Sequence, residues 1–192
     1  IKNIEFTAPE QTVSYSELSK SYDVKETDAE PIIIQGENAV VKSANNIIPK
    51  SNNSDAGMTP SDSKTTKINY IGGTSWQSPG AYITWKFNVK KSGYYSLNMR
   101  YKQSDLVNGE SWRWLKIDGK TPFTEAKSLK FPYGSSWKYY DFADENDLPY
   151  LIKLDEGEHT LTLQVTIGDL SEYFARLKKI VETLGDEYIK IV

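Results

Sequence analysis

A chain of 192 residues has room for one packed domain and an appendage, and its 38% hydrophobic and 26% charged residues mark it as globular rather than disordered. A formal net charge of −3 with no long basic run argues against nucleic acid or an anionic membrane as partner. The lack of cysteine excludes disulfides, thiolate zinc sites and cysteine nucleophiles, and no stretch approaches the apolar length of a membrane span.

Residues 1–30 are polar and read as an N-terminal arm. Within it, Tyr15, Leu18 and Tyr22 share one face of a short helix over Ser14 to Tyr22. Ile32-Ile33-Ile34, after Pro31, is the expected first strand. From Ser43 to Lys67 the composition shifts to Asn, Ser, Pro, Asp and Thr, which predicts a long surface loop. Alternation is then strict. Ile83, Trp85, Phe87 and Val89 share a face opposite Tyr82, Thr84, Lys86 and Asn88, which assigns Trp85 to the core. After the Lys90–Gly93 turn, Tyr95, Leu97, Met99 and Tyr101 alternate in the same way. Trp112 to Asp118 follows, with Leu115 and Ile117 inward and Asp118-Gly119 as a turn. Trp137–Phe142, Tyr150–Leu154 and a strand carrying Leu161, Leu163, Val165 and Ile167 complete the β-rich part. Short strands joined by turns, with no helices between them, predict a mainly β fold, an antiparallel sandwich over residues 31–168.

The period changes after Gly168. Leu170, Phe174, Leu177, Val181, Leu184 and Tyr188 recur every three to four residues, so 169–192 is expected to be a C-terminal helix leading toward a further domain. Asp169 and Glu172 fit a capping box, and Gly185 should weaken the helix by roughly 1 kcal/mol. The start at Ile1 and the stop at Val192 suggest a piece of a larger protein.

Several segments occur in one characteristic order: Ile34-Gln35-Gly36-Glu37, Ala81 to Trp85, Ser92 to Tyr101, Leu115 to Gly119, and Leu154 to Leu163. The series resembles the galactose-binding-like jelly roll, especially carbohydrate-binding module families six and thirty-five. It resembles still more the module near the N-terminus of large extracellular solute-binding lipoproteins of ABC importers in Firmicutes. That resemblance implies an extracellular domain on a Gram-positive cell surface, a carbohydrate partner and a neighbouring domain of the same parent protein. It also implies a structural calcium near the first strand, for which Glu37 matches the acidic ligand position. Gln35 stands where a second acid is common, and a turn or capping role for Glu37 is the alternative.

Sugar recognition needs an aromatic ring face for the C–H side of a pyranose and planar hydrogen-bonding groups for its hydroxyls. Three places offer both: Gly72 to Gln77 with Trp76; Lys102 to Arg113; and Tyr133 with Trp137. Trp76, Gln103, Trp112 and Arg113 are the expected carbohydrate-binding group, with packing beneath loops as the plain alternative for each aromatic. Arg100 and Arg113 are expected on the faces opposite the core, either clamping an acidic sugar or pairing with Asp105 and Glu110. Thirteen tyrosines and five tryptophans suit either role. Catalysis finds no support. His159 is the single histidine and sits in a turn, the acids Asp141, Asp144, Glu145 and Asp147 read as a solvated turn, and no convergent constellation forms.

Overall fold

Alternating burial turns the sequence into two facing layers. The computed structural model describes residues 11–24, 30–62, 64–168 and 170–191; in the last helix it describes the side chains of residues 176–185 and 188. In chain order the elements are α1 (Tyr15–Leu18), β1 (Val41–Lys42), β2 (Pro49–Lys50), β3 (Tyr70–Ile71), β4 (Tyr82–Val89), β5 (Gly93–Ser96) and β6 (Asn98–Tyr101). Then come β7 (Glu110–Ile117), β8 (Leu129–Pro132), β9 (Lys138–Asp141), β10 (Leu151–Leu154), β11 (Gly157–Thr166) and α2 (Leu170–Ile191).

The first layer is a five-stranded sheet in the order β1-β4-β11-β7-β8, with every paired strand antiparallel. Register stacks Ile83, Leu163 and Leu115 in one inward row and Trp85, Leu161 and Ile117 in the next. Ile83, Leu115, Val89 and Phe123 have no exposed surface, and Trp85 keeps 6%. Burying such side chains stabilises the fold by about 1.5–3 kcal/mol each. The Trp85 indole also donates to the Gly36 carbonyl at 2.7 Å, so the first residues of the sandwich are tied beneath it.

The second layer pairs β5–β6 with β9 and β10. Tyr95, Leu97, Met99 and Tyr101 turn toward the core, as their alternation predicts. β9 and β10 lie on the same side of β5–β6, and the segment between them makes an excursion. Asn98 faces Asp141 and Ser96 faces Leu151, so Phe142 and Tyr150 both fall opposite Leu97. The Phe142 amide donates to the Leu97 carbonyl and the Tyr150 amide to the Phe142 carbonyl. At the tip, Asp144 Oδ1 accepts from the Asn146 and Leu148 amides, the solvated turn expected there.

The arm docks on that excursion. Ser14 caps α1 by accepting from the Glu17 amide, and a tighter turn, Ser19–Ser21, follows. The Tyr15 ring packs edge-on against Phe123 (5.0 Å) and Tyr150 (4.7 Å), and its amide donates to Glu125.

Three expectations change. Ile32 to Ile34 form no ladder; they are extended, with Ile32 and Ile34 against the core and Ile33 80% exposed, and the first paired strand begins at Val41. β8 is an additional strand with Leu129 and Phe131 inward. Arg113 points inward rather than outward, because it shares parity with Leu115 and Ile117 and lies in a row with Val165 and Leu129. At the C-terminus, α2 runs through Gly185 without a break, while the Asp169 cap and the Glu172 side chain lie outside the described residues.

Candidate functional site

Adjacent residues on a strand point to opposite faces, so Trp112 and Arg113 cannot share a cleft. The structure sends Arg113 to the inner end of the sandwich, where its guanidinium lies 4.3 Å from the Trp76 ring centre. It donates to the Trp112 carbonyl at 2.8 Å and the Trp76 carbonyl at 3.2 Å. Burial pulls the guanidinium pKa down to about 10. The other side of the Trp76 indole rests against Gly72, where a Cβ would come within 3.0 Å of the ring. Trp76 Nε1 donates to the Ala81 carbonyl. Trp76 is thus held between a cation and a backbone, and the pair plugs the end of the core. A cation over an indole stabilises by roughly 0.5–2 kcal/mol.

Gln103 is also used internally. It is 9% exposed; its Oε1 accepts from the Asp105 and Leu106 amides, and its Nε2 donates to the Leu106 and Gly109 carbonyls. That amide shapes the loop over 102–109 and has no group left for a ligand. Gln77 reaches across to Asp105 at 2.7 Å and ties this loop to the Gly72–Gln77 turn. The third place braces the second: the Tyr133 and Gly134 amides donate to the Gly109 and Gln103 carbonyls, and Trp137 packs edge-on against Tyr70. Of the four residues expected to converge, the structure joins Trp76 with Arg113, leaves Gln103 inside its own loop and places Trp112 on the opposite face.

That opposite face is the better-built surface. Register aligns Lys130, Trp112 and Thr166 in one outward row. Trp114, Gln164 and Tyr82 form the next, and Lys116, Thr162 and Thr84 the third. Neighbouring strands lie about 4.8 Å apart and alternate residues about 6.7 Å apart along a strand, so the two indoles stand one step from each other on a broad plane. Trp112 and Trp114 are half-buried and Tyr82 is exposed. Lys116 Nζ sits 4.1 Å from the Trp114 ring centre and donates to Gln164 Oε1 at 3.2 Å. Lys130 Nζ lies 4.8 Å from the Trp112 ring centre. The Trp114 indole N–H is held by Thr121 at 3.0 Å, and Thr84 and Thr162 hydroxyls are bonded at 2.8 Å. Gly168 lies directly on the Trp112 ring. The signal was present in the sequence as Trp-x-Trp on the polar parity of a strand.

Arg100 does face away from the core, but its partner is neither Asp105 nor Glu110. It donates to Asp55 at 2.6 Å and to the Gly57 carbonyl, so it clasps the long loop, while its Nε is buried without a partner. Asn69, 5% exposed, holds the same loop by bonding Asn52 and Pro60. His159 joins two turns: Nδ1 meets Asp118 Oδ2 at 2.6 Å and Nε2 meets the Asp155 carbonyl at 2.8 Å. The hydrogen bond that His159 donates to Asp118 raises the imidazole pKa, whereas bonds from the Thr160 amide and His159 outweigh desolvation and lower that of Asp118.

Glu37 opens a tight turn, Gly36–Asn38, and its Oε2 is buried without a partner. Such an oxygen suits a cation, yet calcium takes about 6–8 oxygen ligands. Among the described residues no three Asp, Glu or His side chains gather, and the Gly36 carbonyl already accepts from Trp85. Among the described residues no carboxylate cage is assembled around Glu37. Two clefts of about 390 and 350 Å³ lie beside Pro31 and Tyr95 and beside Tyr22 and Ile152, away from both tryptophan sites. Among the described residues no helix is long and apolar enough to cross a membrane.

No family model matches the chain, and no curated protein matches it. Solved structures do. A family 35 carbohydrate-binding module from Clostridium thermocellum aligns with a TM-score of 0.52 at 22% identity, over 73% of this chain and 90% of that one. A family 35 module from Cellvibrio japonicus aligns at 0.46 and 15%, over 71% and 83%. A third, bound to a glucuronic-acid-containing disaccharide, aligns at 0.45 and 16%, over 69% and 81%. The first match shows that the chain shares the β-sandwich fold of that module. At that identity it establishes the fold alone.

Proposed function

We propose that the chain is a non-catalytic carbohydrate-binding module whose ligand lies across the outer face of the five-stranded sheet. The observation that carries this reading is the Trp112–Trp114 pair on one outward face, in register with Gln164, Tyr82, Thr162 and Lys116. The C–H side of a pyranose packs on an indole face, and the amide, hydroxyl and ammonium groups beside it match sugar hydroxyls. Gly168 and Lys130 already lie on the Trp112 ring, so Trp114 is the main platform once Lys116 swings aside. Lys116 and Lys130, already seated over the rings, would bond hydroxyls or a carboxylate at a ring edge.

Titration calorimetry and affinity electrophoresis against plant and microbial polysaccharides test it. Trp114→Ala should weaken binding by at least about 30-fold, in line with aromatic anchors worth about 2 kcal/mol or more. Gln103→Glu should leave affinity within about threefold, since that side chain faces its own loop. Silence across the panel, or full binding by Trp112→Ala and Trp114→Ala proteins, would remove the proposal.

The sequence resemblance supports a finer setting: residues 31–168 as the binding unit, carried on an extracellular solute-binding lipoprotein of a Gram-positive sugar importer. A parent reading frame that continues after the helix into a catalytic glycoside hydrolase domain would replace that setting with an accessory module of a degrading enzyme. The exposed apolar residues of α2 favour a second, interaction role for the C-terminal segment.

A further inference from the structure

Helix α2 carries an exposed apolar face. Leu177, Ile180, Val181, Leu184 and Tyr188 are 55%, 54%, 67%, 64% and 69% exposed. Isolated exposed aliphatics are ordinary, but these five lie on one side of one helix.

Their spacing identifies what covers them. Leu177, Val181, Leu184 and Tyr188 are separated by four, three and four residues, and the sequence extends the same rhythm to Leu170 and Phe174 upstream and Ile191 downstream. The mean repeat is 3.5 residues, a heptad with Leu170, Leu177, Leu184 and Ile191 at one seam position and Phe174, Val181 and Tyr188 at the other. Ile180 widens the stripe on one side of the seam. Seam positions sustained for three heptads are a pattern by which one helix interlocks with another. The far side is polar: Arg176, Lys179, Glu182 and Thr183 are exposed, and Lys178 pairs with Glu182 at 3.8 Å along the helix.

We propose that α2 is a coiled-coil arm that pairs with α2 of a second copy of this chain. The seam is self-complementary, since identical Leu, Val and Tyr knobs meet their own kind across a two-fold axis. Beside it, the described flanking positions Lys178, Ile180 and Gly185 bring a single charge, so identical helices do not oppose like charges. Area agrees. The five described side chains offer on the order of 500 Å² per helix, and two copies therefore cover about 1,000 Å², the lower bound for a specific interface before the remaining seam residues are added.

The test uses the whole 192-residue chain, followed by sedimentation equilibrium over a roughly hundredfold range of concentration. The mass should pass from twice the 21.8 kDa chain mass to the chain mass on dilution, with helical circular dichroism falling in parallel. A double variant, Leu177→Glu with Leu184→Glu, should weaken association by at least about a hundredfold. It should leave the tryptophan-monitored unfolding of the sandwich unchanged. Lys179→Glu, on the polar side, should associate like the parent. A parent chain that is monomeric throughout, or a double variant that still dimerises, would overturn the pairing. Neither result touches the sugar proposal, which is read by a different assay on a different surface.

Discussion

Gly168 offers the sharpest measurement of how the outer face is built. It is buried, it adopts a φ of +57°, and a Cβ added there would collide with the Trp112 ring. Gly168→Ala therefore has two costs. An alanine forced into the left-handed region loses about 1–2 kcal/mol. A methyl group pressed into a packed indole adds about 1–3 kcal/mol, because the ring must leave its position between Gly168 and Lys130. The expected total is about 2–5 kcal/mol, which for a domain of this size lowers Tm by roughly 4–20 °C. Gly119→Ala separates the two effects: its φ is +75°, but nothing lies within 4 Å of the added carbon, so it should lose only the first portion. Urea titrations followed by tryptophan fluorescence give both values, and a red-shifted emission in Gly168→Ala alone would report the displaced indole. Equal losses in the two variants would refute the packing of Trp112 on Gly168.

Two further outcomes follow from side chains that fasten loops. The raised pKa of His159 means that the folded state holds a proton the unfolded chain releases above its ordinary pKa of 6.5. Its contribution is therefore complete below pH 6.5 and lost as pH rises through the folded value, while the lowered Asp118 keeps its own contribution until acid reaches that group. As the chain has one histidine, a single imidazole resonance should titrate above 6.5, and His159→Gln should flatten the urea midpoint between neutral pH and pH 6; an unshifted resonance would contradict the Asp118 bond. Arg100→Met should release the loop that Asp55 and Gly57 anchor, so trypsin should cut after Lys64 or Lys67 several times faster with little change in global unfolding; an unchanged cutting rate would show that Asn69 alone secures it.

Much of the sandwich was legible because its strands obey strict alternation. β4, β5–β6 and β10 each present an apolar parity, as do Leu115 and Ile117 of β7 and Leu161, Leu163 and Val165 of β11, and the three-to-four-residue spacing of α2 separates it from them. β8 escaped because Leu129 and Phe131 are only two apolar positions before Pro132, too few to distinguish a strand from a loop. The Ile32–Ile34 run misled in the other direction, since apolar content without a ladder partner gives an extended segment rather than a strand. At the site, strand parity decides what residue type alone does not. Arg113 shares the inward parity of Leu115, so its inward direction could be read, whereas its stack on Trp76 depends on a turn nearly forty residues away. Gln103 looked like a ligand because an amide in a polar loop looks the same whether it faces a sugar or four backbone groups of its own loop. Only coordinates distinguish these.

The excursion between β9 and β10 has a consequence for the arm. An uninterrupted strand would set one side chain across from Leu97; the detour delivers both Phe142 and Tyr150, which gather around Phe123 with ring centres 5.6 and 5.3 Å away. That doubled aromatic floor is the shelf on which Tyr15 sits. Splicing the detour out to straighten the strand would leave the N-terminal segment with no seat, so the two pieces, remote in sequence, must be kept or discarded together.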